Sequence, residues 1–199
     1  MAAPAQLIEH ILKWEGGGGN HPNDQGGLTA RGGVTYNTFL MLYTKLTGKP
    51  ATMANFNNLQ RSEIILFINW FYNQATLNGT IASQKIAALL TEFAYGGSSG
   101  YKIFRTVLNQ KFGKKLPYSG TIDKQLRDAI NSVDSNSLFN YCVQARAAYF
   151  KNKAATQAGQ DTFLRGWLNR LNDFNKNFSS PGMSIGLIAV AAFLIYKYL

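Results

Sequence analysis

The residues best suited to chemistry lie in one glycine-rich stretch near the N-terminus. Glu15 opens the stretch, and four glycines, Gly16–Gly19, follow it directly. Asp24 comes nine residues after Glu15 and is the other acidic residue of the stretch, while Thr29 and Thr35 add hydroxyl groups. Such a set can supply a general acid, a second carboxylate and a group that holds a water molecule.

The segment that precedes Glu15 must position it. Its apolar residues recur at the three-to-four-residue spacing of an amphipathic helix, and Glu15 falls on the same face. These residues are Leu7, Ile8, Ile11 and Leu12. A carboxyl group there is partly desolvated and lies at the negative end of the helix dipole, and both effects favour its protonated form. The glycines end the helix and leave room for a bulky polymer beside the acid.

This stretch resembles the signature of the glycoside hydrolase 108 family, muramidases of phages and bacteria. The matching residues are Glu15-Gly16-Gly17, then Asn20-x-Pro22-x-Asp24-x-Gly26-Gly27-x-Thr29, then Gly33-Val34-Thr35. A second stretch, Phe163–Leu171, is similar to the helix that closes the family's C-terminal, peptidoglycan-binding region. The resemblance covers about Leu7 to Phe174. It implies a mostly helical, lysozyme-like fold with Glu15 as the catalytic acid.

The resemblance also implies a reaction. Glu15 would protonate the glycosidic oxygen between N-acetylmuramic acid and N-acetylglucosamine, and Asp24 would stabilise the transition state or activate water. Thr29 or Thr35 would orient that water. A separation of about 6.5–9.5 Å between the two carboxyl groups predicts inversion, and about 5–5.5 Å predicts retention. A lytic transglycosylase, which uses one glutamate and no water, remains an alternative.

The chain departs from the family pattern in three places, all of which bear on substrate contacts. Gly18 stands where the family usually has an aromatic residue, and one extra residue precedes Gly33. The family's Asp-x-Ala-x-Asn-Ser-Gly reads here as Glu92-Phe93-Ala94-Tyr95-Gly96-Gly97-Ser98.

Three residues are candidates for substrate binding: Asn20, Trp70 and Tyr95. The aromatic ring of Trp70 can stack on a sugar or cover the edge of the core. Asn20 can contact substrate or hold its own loop through backbone hydrogen bonds.

The amino-acid composition limits the classes of molecule that the protein is expected to bind. Twenty Lys and Arg residues against ten Asp and Glu give a net charge of +10, which favours an anionic partner. The basic residues are scattered, with Lys114-Lys115 the one adjacent pair, and no nucleic-acid-binding motif is present. Peptidoglycan and phospholipid headgroups are therefore the predicted partners, and nucleic acid is not.

The composition also limits the types of catalytic site that the chain can form. With only His10 and His21 as histidines, a zinc site is not expected, and no metal or other cofactor is predicted. The single Cys142 excludes an intramolecular disulfide. Its neighbours Tyr141 and Val143 favour a helix packed into a core over a nucleophilic site.

Apolar residues recur at helical spacing as far as Phe174, and no segment shows sustained strand alternation. The predicted fold is therefore all-α, or α+β at most, with a small ribbon around residues 16–35. Residues 1–100 are predicted to form the catalytic region and 101–176 a helical, peptidoglycan-binding region. Residues 52–58 are predicted to be a loop, and Ser83 to cap a helix.

Beyond a polar linker at 177–182 the composition changes sharply. Residues 183–199 are almost entirely apolar and end in Tyr196-Lys197-Tyr198, the residues of a membrane interface. This segment is predicted to be a single C-terminal transmembrane anchor, at the short limit of about 20 residues. A buried helix is the alternative. The N-terminus lacks the basic and apolar regions of a secretory signal.

These features predict a membrane-anchored, peptidoglycan-degrading muramidase, a phage lytic or virion-associated enzyme in a virion membrane or a host envelope. The alternative is a membrane-anchored structural component of a virion or envelope assembly that retains the lysozyme fold with weak or no catalysis. Other virion or membrane-complex proteins would then be its partners.

Overall fold

A computed structural model describes residues 2–19, 27–97 and 100–179 of the chain. Within these ranges the chain forms nine α-helices and a short 3₁₀ turn, Arg31–Gly33, with no β-strand beyond isolated bridges. The all-α prediction is confirmed. The helices are α1 (Ala5–Trp14), α2 (Tyr36–Thr47), α3 (Met53–Asn57), α4 (Arg61–Ala75), α5 (Gln84–Tyr95), α6 (Gly100–Phe112), α7 (Lys124–Asn131), α8 (Ser135–Thr156) and α9 (Asp161–Phe178).

The chain divides into two compact units within α4. The first unit is Met1–Asn73, and the second begins at Gln74. The functional division into residues 1–100, 101–176, 177–182 and 183–199 stays a prediction.

The first unit buries apolar faces of α1 and α4 and an aromatic cluster on α2 and α3. Leu7 and Ile11 of α1 and Phe67 and Ile68 of α4 are fully buried. This burial explains the helical spacing of apolar residues before Glu15, because that stripe is the face of α1 that the core removes from water.

The aromatic cluster fixes α3 against α2. Phe39 stacks on Tyr43 at 4.4 Å between ring centroids, and Phe56 presents its edge to Tyr36 and Phe39 at 5.0 and 5.2 Å. Edge-to-face and offset pairs at such distances are favourable beyond the area that they bury. The buried Phe56 is therefore the anchor of α3.

Helix α3 corrects the sequence prediction of a loop over residues 52–58. The Thr52 hydroxyl accepts a hydrogen bond from the Asn55 N–H at 3.3 Å, which is an N-cap. A helix of five residues is too short to show an apolar period, so the spacing of hydrophobic residues missed it. At Ser83 the helix does begin as predicted, but the side chain makes no capping hydrogen bond.

The second unit packs α5, α6, α8 and α9 together. Its core contains Leu90 and Phe93 of α5, Phe104 of α6, Phe139 of α8 and Phe174 of α9. Phe139 and Phe174 stack at 6.2 Å between centroids.

Cys142 lies fully buried in α8, as the sequence predicted. Burial raises the pKa of the Cys142 thiol well above its ordinary value, because the thiolate would lose its hydration. A thiol in this state is a poor nucleophile.

A buried arginine holds the segment between α6 and α7. Arg105 donates to the backbone oxygens of Pro117 and Thr121, both at 3.2 Å, and forms an ion pair with Asp123 at 2.6 Å. The Leu126 N–H, which Asp123 caps, and Arg105 together hold the pKa of the Asp123 carboxyl below its ordinary value. The segment is thereby fixed by its backbone as well as by charge.

In residues 2–19, 27–97 and 100–179 no helix is both long and apolar enough to cross a lipid bilayer. The predicted anchor, residues 183–199, lies outside the described part of the chain.

Candidate active site

Glu15 is held at the C-terminal end of α1 by both of its peptide groups. Its N–H donates to the Ile11 carbonyl at 2.9 Å, and its own carbonyl accepts from the Gly32 N–H at 2.7 Å. The first bond belongs to the helix and the second to the 3₁₀ turn. The backbone of the predicted acid is therefore fixed from two directions, and its side chain remains partly exposed to solvent.

A small ribbon follows Glu15 in the sequence. Gly19 and Thr29 exchange backbone hydrogen bonds at 3.0 and 2.9 Å, and Thr29 also pairs with Thr35 in an isolated bridge. The ribbon lies within the predicted region around residues 16–35.

The extra residue before Gly33 is part of the 3₁₀ turn. Gly32 and Gly33 both have left-handed backbone, with φ of +74° and +69°, which other residues adopt only with strain. A β-carbon on Gly32 would overlap the side chain of Ile64 in α4. A β-carbon on Gly33 would lie 2.7 Å from the Cδ of Glu15. The turn thus brings bare backbone against the carboxyl group.

Gly18, where the family usually has an aromatic residue, also lies against backbone. A β-carbon there would be 2.8 Å from the Thr29 carbonyl oxygen, a contact that side-chain rotation cannot relieve. In this chain the ribbon therefore needs a glycine at residue 18, and an aromatic ring would require a different path for the loop.

Two other carboxylates of the first unit are held in interactions that do not suit a general acid. Glu9 is exposed and forms an ion pair with Arg61. Glu63 is buried and accepts hydrogen bonds from the Gln60 N–H at 3.0 Å, Tyr43 at 2.9 Å and Lys49 at 2.8 Å. Burial alone would raise the pKa of Glu63, but these three donors together lower it below its ordinary value. Glu63 therefore stays ionised at neutral pH.

The two threonines predicted to orient water hold the loop. Thr29 Oγ1 donates to the Gly19 carbonyl at 3.1 Å and accepts from the Gly19 N–H at 3.2 Å. Thr35 is the N-cap of α2, since its hydroxyl accepts from the Thr38 N–H at 3.2 Å and donates to Thr38 Oγ1 at 2.9 Å. A role in orienting water stays a prediction for both.

The capping role of Thr35 can be tested directly. We expect Thr35→Ala to lower the free energy of unfolding by about 1 kcal/mol, because the Thr38 N–H loses its acceptor, and Thr35→Ser to restore most of it. Thermal denaturation of the three proteins measures the effect. A loss of lytic activity in Thr35→Ala much larger than the loss of folded protein would instead assign the hydroxyl to the reaction.

Of the remaining predicted residues, the structure describes Trp70 in the first unit and Tyr95 in the second. Asn20 and Asp24 lie outside the described residues, so their roles stay predictions. Trp70 is half-buried on α4, with its ring edge-on to Phe71 at 5.1 Å between centroids. Tyr95 is half-buried at the end of α5 in the second unit. Substrate binding by Trp70 and Tyr95 stays a prediction too.

The second unit contains a charged cluster that the sequence analysis missed. Glu92 is buried and accepts hydrogen bonds from Arg170, through Nε to one carboxylate oxygen and through Nη2 to the other at 3.0 Å. Arg170 is a residue of the second family motif, at 163–171. The second family motif was a signal for Arg170 in the sequence, but its partner is revealed only by the fold, in which α5 and α9 both pack against α8.

Arg146 belongs to the same cluster. Its side chain is buried, donates to the Gly96 carbonyl at 3.2 Å and lies over the rings of Phe93 and Phe150 at 4.9 and 4.6 Å. Burial lowers the pKa of Arg146 to about 10, with Tyr149 and Glu92 opposing that shift and Arg170 adding to it. The charge of Glu92 thus acts favourably on both arginines.

No group of three or more His, Cys, Asp or Glu side chains suited to a metal ion occurs among the residues that the structure describes.

Comparison with known proteins bears on residues 8–97 and on the fold. Residues 8–97 match the family model described as Glycosyl hydrolase 108. Over these residues the chain is similar to that family, which suggests a lysozyme-like, peptidoglycan-hydrolysing domain. The match contains every described residue of the site around Glu15.

Among solved structures, the chain is similar to SagA of Brucella abortus, with a TM-score of 0.66 and 21% sequence identity. The alignment covers 89% of this chain and 96% of that chain, and at this identity it shows a shared fold. No curated protein matches the sequence.

Proposed function

We propose that the protein is a muramidase that cleaves the bond between N-acetylmuramic acid and N-acetylglucosamine in peptidoglycan, with Glu15 as its general acid. The observation that carries the proposal is the setting of Glu15. The residue lies at a helix end within the matched family region, its backbone is fixed on two sides, and its carboxyl group faces the bare backbone of Gly33.

The chemistry follows from that setting. Glu15 donates its proton to the glycosidic oxygen as the bond between that oxygen and the anomeric carbon breaks, so the departing sugar leaves as a neutral alcohol. Positive charge develops on the other sugar ring, where Asp24 is proposed to stabilise it or to accept a proton from the attacking water. A β-carbon on Gly17 or Gly19 would meet nothing within 4 Å, so the glycines that follow the acid leave open space for a glycan strand.

The positive charge of the chain supports the proposed substrate. Peptidoglycan carries carboxylate groups on its peptide stems, and a net charge of +10 raises the local concentration of such a polymer. The effect depends on ionic strength, since exposed charges are screened beyond about 8 Å at physiological salt.

The experiment that tests the function is digestion of purified Gram-negative peptidoglycan by the 199-residue chain, followed by mass spectrometry of the products. New reducing ends on N-acetylmuramic acid would establish a muramidase, whereas new reducing ends on N-acetylglucosamine would show cleavage of the other glycosidic bond and reject the proposal. Products that end in 1,6-anhydro-N-acetylmuramic acid would establish a lytic transglycosylase. Intact peptidoglycan with folded protein would reject catalysis. That result would favour the alternative in which the protein is a structural component without catalysis. The hydrogen bonds by which Thr29, Thr35 and Glu92 hold the fold are consistent with that alternative.

We further propose that residues 183–199 anchor the protein in a bilayer and that the protein serves a phage, in lysis or in the virion. The support is the apolar composition of the segment and its tyrosine and lysine end. An enzyme tethered in this way would cleave the wall only near its membrane.

If the anchor exists, the protein should float together with phosphatidylcholine vesicles in a density gradient. These lipids have no net charge, so the net positive charge of the protein cannot account for the binding. Val190→Lys combined with Leu187→Lys should abolish flotation, because each lysine near the bilayer centre costs about 2.5–3.5 kcal/mol. Ser180→Lys, outside the apolar segment, is the matched control. Wild-type protein that stays at the bottom of the gradient would reject the anchor.

A further inference from the structure

We infer that Gly33 is a positioning residue for the proposed acid: its backbone forms the wall against which the Glu15 carboxyl group rests, and only glycine leaves the carboxyl group in that place. The inference rests on the proposed function, since it assigns Gly33 a part in that reaction.

The distances define the wall. A β-carbon on Gly33 would lie 2.7 Å from Cδ and 3.1 Å from Cγ of Glu15, and closer still to Oε2. Carbon atoms in contact are about 3.5–4.0 Å apart, so the space that a methyl group would take is already filled by the carboxyl group. The wall and the acid are therefore in direct contact.

The contact determines which group a methyl group on residue 33 would displace. The Glu15 backbone is held by Ile11 and Gly32 and has little freedom to move. The Glu15 side chain can rotate, so the carboxyl group would give way before the backbone does. A misplacement of about 1 Å at a catalytic group can cost about 10²-fold in rate.

A second glycine of the same unit provides the matched control. Gly48, at the C-terminal end of α2, has φ of +73°, close to the +69° of Gly33, but a β-carbon there would meet nothing within 4 Å. Gly48→Ala therefore introduces the same kind of backbone strain as Gly33→Ala without touching Glu15. Comparison of the two variants separates loss of stability from displacement of the acid.

The test measures kcat and KM on soluble peptidoglycan fragments, with each rate divided by the fraction of folded protein. For Gly33→Ala we expect kcat to fall about 10²-fold with KM little changed, because substrate binding is kept and transition-state stabilisation is lost. For Gly48→Ala we expect wild-type kcat. An unchanged kcat in Gly33→Ala would overturn the inference while the muramidase proposal stands, whereas an inactive wild-type protein would reject that proposal.

A double-mutant cycle of Gly33→Ala and Glu15→Ala, measured by thermal unfolding, tests the contact independently of activity. Gly33→Ala should lower Tm more when residue 15 is glutamate than when it is alanine, since the clash needs the longer side chain. Equal shifts in the two backgrounds would overturn the inference. If Gly33→Ala fails to fold, recovery of folding on adding Glu15→Ala supports the wall, and failure to recover overturns it.

Discussion

Glu15→Gln is expected to reduce the release of reducing ends from peptidoglycan by about 10²- to 10⁴-fold, the usual contribution of a general acid. Glutamine keeps the shape of the side chain and its contact with Gly33, but it has no proton to give to the glycosidic oxygen. The folded structure should be retained, so the loss should appear in kcat and not in the far-ultraviolet circular dichroism spectrum.

Glu9→Gln is the matched control for this loss. Glu9 lies on the same helix, and its side chain is 66% exposed and paired with Arg61 at the surface, where a salt bridge contributes about 0–1 kcal/mol. The control removes the same charge from the same helix and should leave activity at the wild-type level. Activity in Glu15→Gln equal to that of Glu9→Gln would remove Glu15 from the mechanism.

Glu92→Gln is expected to lower the free energy of unfolding by about 3–5 kcal/mol, the cost of breaking a buried ion pair by removal of one partner. Glu92 is 6% exposed and binds Arg170 through both carboxylate oxygens, and its charge also stabilises the buried, charged Arg146. Without the carboxylate, two positive charges remain close together in a region that excludes water.

Arg170→Gln should cost less than Glu92→Gln, because Glu92 then remains beside Arg146 and a compensated pair persists. The order of the two variants tests the three-membered cluster against a simple pair, in which both changes would cost about the same. Urea denaturation measures the free energies, and amide hydrogen exchange in α9 shows whether the loss lies in the second unit. A smaller loss for Glu92→Gln than for Arg170→Gln would contradict the proposed electrostatics.

The sequence predicts the helix that precedes Glu15, but it does not predict the contact between the Glu15 carboxyl group and the backbone of Gly33. The apolar period of α1 is a local property, so it places Glu15 on the apolar face of the helix without knowledge of the fold. Gly33 lies eighteen residues further on, and its contact with Glu15 depends on the left-handed turn at Gly32, which no periodicity reveals. The family motif records both residues but not the contact between them.

The other misses have two different physical origins. Thr35 and Thr52 both cap helices, and a threonine directly before a helical segment is a local capping signal. The pair of Glu92 and Arg170 joins residues 78 positions apart, so it depends on how α5 and α9 are each packed against α8. Local chemistry is readable from sequence, whereas such long-range partners are not.

The hydrogen bond from the Gly32 N–H to the Glu15 backbone carbonyl makes one amide proton a reporter of the turn beside Glu15. While the turn is closed on the end of α1, that proton is protected from exchange with solvent, and opening of the turn exposes it. Hydrogen exchange at Gly32 therefore measures how often the turn that carries Gly33 opens away from Glu15, in the absence of substrate. An inhibitor that binds only while the turn is closed should slow this exchange in proportion to its occupancy.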